Sequence, residues 1–179
     1  MPLYRQPEFA RNSALVARAD VFAFAAHEGE RSRGATRSDH PRAVAALLAA
    51  RDAQEEIVAA ALLHDVLEDT SVTWHELQRE FGTRIAEVVA HLSEDPSIEP
   101  YAERKASLRQ QVADAGPEAA TIFLADKLAR LQALERTGSS IEPEKLAHYR
   151  ATLELLSRVH PGAPFVDEAR AALARVDIR

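Results

Sequence analysis

From Phe9 to Val176 the apolar residues of this chain recur at spacings of three and four, alanine and leucine supply most of them, and no stretch alternates apolar with polar. That period belongs to amphipathic helices, each with one face to bury, and it leaves no segment able to build a sheet. An all-α chain is therefore expected. Its 179 residues, 46% of them hydrophobic, suffice for one filled core, and no linker, repeat or low-complexity tract divides them. The expected architecture is a single-domain helical bundle over residues 1–179.

Punctuation residues place the helices. A first helix is expected from about Phe9 to His27, ended by Gly29 and the polar, basic loop "GERSRGATRSD". A second starts at Ser38 or Asp39, with Pro41 in its first turn where a missing N–H costs nothing, and runs to about Arg51. Asp52, followed three residues later by Glu55, reads as the cap of a third helix that carries "ALLHDVLEDT". Thr73 and Glu76 repeat the cap signature for a short helix stopped by Gly82, and another follows from Thr83 to about Leu92. Beyond the loop "SEDPSIEP", helices are expected over 101–115, 117–136, 143–159 and 166–176, with Gly116, Gly138 and Pro161 as stops.

The net charge of −6 argues against nucleic acid as a partner, since phosphate neutralisation requires a basic surplus; the Arg31, Arg33, Arg37, Arg42 cluster is the local exception. No apolar window reaches membrane-spanning length and the start "MPLYRQPEFARNS" is not a signal peptide, so no membrane is expected and the expected location is cytoplasmic. With no cysteine, any metal site must be built from imidazole and carboxylate.

His64 and Glu68 are four apart, as are Asp65 and Asp69, which on a continuous third helix puts four polar side chains in two rows on its last turn. A helix C-terminus disfavours acids. A divalent cation would reverse the objection, with His64 and Asp65 as ligands and the remaining acids beside a bound water. The alternative is the solvated end of a buried helix. Asp126 is the second anomaly, in the apolar run "AATIFLADKLARLQAL"; a buried carboxylate must be paired or bind a metal, and a salt bridge to Lys127 or Arg130 competes with the metal reading. His40, just before Pro41, is the third candidate. The histidines at 27, 75, 91, 148 and 160 lie among charges or at helix ends and read mostly as surface residues.

His40, the His64-Asp65 doublet and the distant Asp126 resemble the H…HD…D pattern of the HD-domain metal phosphohydrolases. "ALLHDVLEDT", "FGTRIAEVV" and "FLADKLARL" together resemble the hydrolase domain of the RelA/SpoT family, above all its stand-alone alarmone hydrolases, with the motif-bearing core at about 25–160. The resemblance implies an HD-type bundle in which His40, His64, Asp65 and Asp126 bind one divalent metal ion, usually manganese. It implies that Glu68 and Asp69 orient and deprotonate the attacking water, and that Arg33, Lys145 and Tyr149 approach the nucleotide. Two departures stand out: Glu30 and Ser32 alter the loop before His40, and Arg130 stands where an asparagine is usual. Arg130 could then serve an extra phosphate. The activity implied is removal of pyrophosphate from the 3′ position of guanosine tetraphosphate or pentaphosphate, with a small-molecule nucleotide as partner. The alternatives are a phosphatase on another phosphorylated nucleotide, such as NADPH or a nucleotide monophosphate, and a nucleotide-binding domain without turnover. The sequence leaves the oligomeric state open.

Overall fold

The computed structural model describes residues 4–29 and 39–176, and within them the regular structure is helical with no strand. The chain divides into two compact units, Met1–Ser93 and Glu94–Arg179.

In the first unit a 3-10 turn, Glu8–Ala10, precedes α1 (Ala14–Gly29), α2 (Asp39–Ala49), α3 (Glu55–Leu63), the single turn α4 (Val66–Asp69), α5 (Trp74–Phe81) and α6 (Thr83–Leu92). The sequence of α3, "EEIVAAALL", is apolar on every face after its first turn, so it is buried all round, with α1, α2 and α6 packed against it. Leu62 and Leu63 are fully buried, each contributing about 1.5–3 kcal/mol of apolar transfer, and Ala59, Ala60 and Ala61 let neighbouring helices come close.

The start of α2 is tied to α1 by a buried ion pair. Asp20, 1% exposed, accepts from Arg42 Nε at 2.7 Å and Nη2 at 2.9 Å, and from the Tyr4 hydroxyl at 2.8 Å. The Arg42 guanidinium lies 5.5 Å from the ring centres of both Tyr4 and Phe24. A planar cation held bidentately and stacked on aromatics fixes direction as well as distance. Two residues before Arg42 stands His40.

Three expected boundaries are corrected. The first helix does not run unbroken from Phe9: the Ser13 hydroxyl accepts from the Val16 N–H at 3.2 Å, a local cap that restarts the chain as α1. Asp52 does not cap α3; it adopts a left-handed φ of 54°, and the residue before α3 is Gln54 with no side-chain cap bond. The third helix stops at Leu63 instead of continuing to Asp69. The Thr73–Glu76 capping box forms as the sequence predicts, with Glu76 Oε2 accepting from the Thr73 N–H at 2.8 Å and Thr73 Oγ1 accepting from the Glu76 N–H at 3.3 Å. Gly82, at φ 85°, turns the chain from α5 into α6, a conformation other residues adopt only with strain.

The second unit holds α7 (Tyr101–Ala115), α8 (Pro117–Thr137), α9 (Pro143–Val159) and α10 (Val166–Arg175). α8 is its core: Ile122, Leu124 and Leu131 are fully buried, and α7, α9 and α10 pack around it. Gly138 ends α8 in the left-handed conformation, its N–H returning to the last turn. Among the described residues no helix is long and apolar enough to cross a membrane.

Candidate metal centre

His40 opens α2, His64 caps the C-terminus of α3 and Asp65 follows it, so the packing of α2 on α3 decides whether these side chains meet. They do: one ligand atom from each lies within 4.8 Å of the others. The two imidazole rings are edge to face at 5.4 Å. His64 Nδ1 lies 2.8 Å from the Ala61 carbonyl, which can only accept, so Nδ1 carries the proton and Nε2 bears the lone pair in the neutral ring. Nε2 is 3.0 Å from Asp65 Oδ1. A lone pair and a carboxylate oxygen at that distance repel unless a proton or a cation is shared between them. The donor set and this approach fit a divalent cation bound by imidazole and carboxylate.

Glu68 and Asp69 sit differently from expectation. Because α3 ends at Leu63, they fall in α4, whose first turn begins after Asp65, and the Asp65 carbonyl accepts from the Glu68 and Asp69 N–H groups at 3.2 and 2.9 Å. α4 is a single turn of four residues, too short for its dipole to favour or oppose the two acids. His40, His64 and Asp65 are therefore the residues that call for a cation, and the break after Leu63 turns the His-Asp doublet out of the helical register. Glu68 is exposed and Asp69 half-buried.

In the second unit Asp126 is 4% exposed, and its carboxylate is paired on both oxygens: Lys127 on Oδ2, and Arg130 Nε on Oδ1 at 2.8 Å. The salt-bridge alternative weighed from the sequence is thus realised with both cations. Lys127 is itself buried, its ammonium 3.7 Å from the centre of the Phe123 ring and 5.6 Å from that of Tyr149. Burial pushes its pKa down while Asp126 opposes the shift. Lys145 and Tyr149, four apart on α9, lie together, the ammonium 5.9 Å from the ring centre. Burial raises the Tyr149 hydroxyl's pKa, with Asp126 adding to it, so the group remains a proton donor. Asp126, Arg130, Lys145 and Tyr149 are thus neighbours. Arg33 and the loop 30–38 lie outside the described residues.

Burial of three polar groups is not apparent from the sequence. One is Asp20, whose pair with Arg42 beside His40 is signalled only by its place on the apolar face of α1 that also carries Val16, Ala19 and Ala23. Another is His148, read as a surface residue but 5% exposed. His27 is the third, while His75 and His91 are exposed as expected. The His148 pKa is pushed from 6.5 down to about 2, by burial first and then by Lys127, Lys105 and Arg109. The unfolded chain takes up this proton near 6.5 and the folded chain does not, so stability is expected to fall as pH drops from 6.5 toward 2. The slope is at most about 1.4 kcal/mol per pH unit for one group. Urea unfolding between pH 7.5 and 4 checks it, and His148→Gln should remove one proton's share of the slope.

The profile of the family described as HD domain matches residues 19–155 of the chain. The chain belongs to the HD-domain family. A guanosine-3′,5′-bis(diphosphate) 3′-pyrophosphohydrolase, MESH1 of Danio rerio, is 38% identical over 123 residues, covering 64% of this chain and 66% of that protein. The bifunctional (p)ppGpp synthase/hydrolase SpoT of Escherichia coli K12 is 35% identical over 137 residues, covering 74% of this HD-domain chain and 19% of the SpoT chain. The solved structure described as a metazoan ortholog of SpoT that hydrolyzes ppGpp superposes with a TM-score of 0.73 at 23% identity, covering 91% of this chain and 95% of that one. That likeness is one of fold.

Proposed function

We propose that this HD-domain protein is a metal-dependent phosphohydrolase that removes pyrophosphate from the 3′ position of guanosine tetraphosphate or pentaphosphate. The observation that carries the reading is the convergence of His40, His64 and Asp65 within 4.8 Å, with Glu68 and Asp69 following at once in the chain. The names of the MESH1 and SpoT relatives support the substrate. His40, His64 and Asp65 hold the cation, and the sequence motif assigns Asp126 as a further ligand; manganese is the metal the resemblance favours, within a donor set that also suits iron and zinc. A divalent cation in such a site supplies Lewis-acid stabilisation of phosphoryl charge and brings the pKa of a water toward neutrality.

The chain's own residues do the rest. His64 is held in one tautomer by the Ala61 carbonyl, which fixes the face its Nε2 presents. Glu68 and Asp69 orient the attacking water and accept its proton, the work of a general base, as it adds to the phosphorus bonded to the 3′ oxygen; that P–O bond breaks, pyrophosphate leaves and the 3′ oxygen takes up a proton to become a hydroxyl. Arg33, Arg130 and Lys145 meet the negative charge of the phosphates, and the protonated Tyr149 hydroxyl donates to the nucleotide.

The test is pyrophosphate release from guanosine tetraphosphate by the purified protein with manganese, beside NADPH and nucleoside monophosphates. Turnover confined to the alarmone supports the proposal. Turnover of another nucleotide alone replaces the substrate and keeps the chemistry. The placement of Arg130 on Asp126, at a position where asparagine is usual, is the feature that favours this second outcome.

A further inference from the structure

In the second unit a cleft of about 310 Å³ opens between α7 and α9, lined by Tyr101, Lys105 and Arg109 on one side and Glu144, Ala147 and His148 on the other. Lys105 and Arg109 are one helical turn apart and share a face of α7. Arg109 Nη1 donates to His148 Nδ1 at 2.9 Å. A guanidinium cannot accept, so this contact fixes His148 as a neutral ring with its proton on Nε2, an atom that is buried and has no hydrogen-bond partner among the described residues. Arg109 thereby spends one N–H on an uncharged acceptor. No carboxylate among the described residues pairs with it, and burial lowers its pKa with only Tyr101 opposing.

The surroundings do not remove the excess of positive charge. Glu94 is shared by two cations, accepting from Arg104 Nε at 2.5 Å and from Lys105. Glu144 is the one acid on the cleft wall and is exposed. At the His148 ring the charges of Lys127, Lys105 and Arg109 all act against a proton and Asp126 alone acts for it. A partly desolvated arginine next to an imidazole that will not take a charge, with a second cation one turn away, is a demand for an anion.

We propose that the cleft between α7 and α9 is a binding site for a phosphate-class oxyanion, with Arg109 as its fork donor and Lys105 as its second cation. None of His40, His64, Asp65 and Asp126 lines it. Its ligand is a free phosphate or pyrophosphate, or the phosphoryl end of a nucleotide.

The experiment is calorimetric titration of the full chain in EDTA, in an Asp65→Ala background, so that binding at the metal centre and hydrolysis play no part. The probes are inorganic phosphate, inorganic pyrophosphate and guanosine 5′-diphosphate. A saturable site that depends on Arg109 is expected, distinguished by that dependence from any binding at Arg130 and Lys145. Arg109→Gln should weaken it about tenfold or more, the loss of one charge-assisted fork. His148→Glu should weaken it to a similar extent without loss of fold, because a carboxylate then occupies the Arg109 N–H groups. Glu144→Gln should tighten it, and Arg51→Gln, in the other unit, should leave it unchanged. Binding of the inorganic ions identifies a free oxyanion as the ligand; binding of the diphosphate nucleotide alone, with the same Arg109 and His148 dependence, identifies a nucleotide's phosphoryl end. Should Arg109→Gln fail to fold, the opposite effects of His148→Glu and Glu144→Gln decide. No saturable binding of any probe, or binding indifferent to these folded variants, overturns the proposal and leaves the hydrolase reading untouched.

Discussion

Asp65→Ala is expected to lower hydrolysis of the nucleotide roughly a thousand-fold, the several kcal/mol that a bound cation supplies to developing phosphoryl charge. The fold should survive. Asp65 is half-buried, lies in the break between α3 and α4, and its carboxylate stands 3.0 Å from a neighbouring imidazole nitrogen. Removing it relieves that approach, so the melting temperature in EDTA is expected to stay the same or rise. With manganese added, the wild-type protein should gain stability in proportion to ligand excess and the variant should gain far less. Isothermal titration with manganese and a thermal melt with and without metal read both effects. An inactive variant that binds the metal as tightly as the wild type would move Asp65 out of the ligand set.

Asp126→Ala is expected to behave in the opposite way, because its first consequence is structural. Lys127 is buried against Phe123, and Asp126 is the carboxylate on its ammonium. Removing one member of a buried pair strands the other at a cost of about 3–5 kcal/mol. For a chain of this size that corresponds to a fall of about 6–20 °C in melting temperature. The pH dependence has a defined direction. With its pKa already lowered by burial and its partner gone, Lys127 binds its proton less in the folded state than in the unfolded state. Stability of the variant should therefore rise as pH increases toward the ordinary lysine value of 10.5, where the unfolded chain also gives the proton up. A double variant, Asp126→Leu with Lys127→Met, replaces the pair by apolar volume and should recover most of the stability. It should not recover manganese affinity if Asp126 is a ligand. The two measurements together separate the residue's role in packing from its role toward the metal.

The pairing around Asp126 was legible because it is local: Lys127 is its neighbour and Arg130 is four residues on, so helical geometry alone brings both within reach. The same holds for the Thr73–Glu76 box and the stop at Gly82, where the relevant groups are within a few bonds of one another. His148 was not legible. α9 packs against α7, α8 and α10, and a chain read in one dimension does not reveal that the same helix has several partners. The Asp20–Arg42 pair was half legible, since an acid on an apolar stripe must find a cation, but which arginine of the basic stretch supplies it depends on where α2 lands.

The sequence by itself determined that this chain is helical, which residues could ligate a cation, and which family's pattern they follow. Period, composition and short spacings carry that information without any long-range contact. Only the tertiary structure decided that His40 reaches His64 and Asp65, since they lie on different helices, and that meeting is fixed by α2 packing on α3. It also decided that the helix ends at Leu63. A continuous helix would have placed Glu68 and Asp69 in its last turn, against its dipole; the break takes them out of that helix and leaves His64 and Asp65 at the corner, where side chains from two helices can converge on one point.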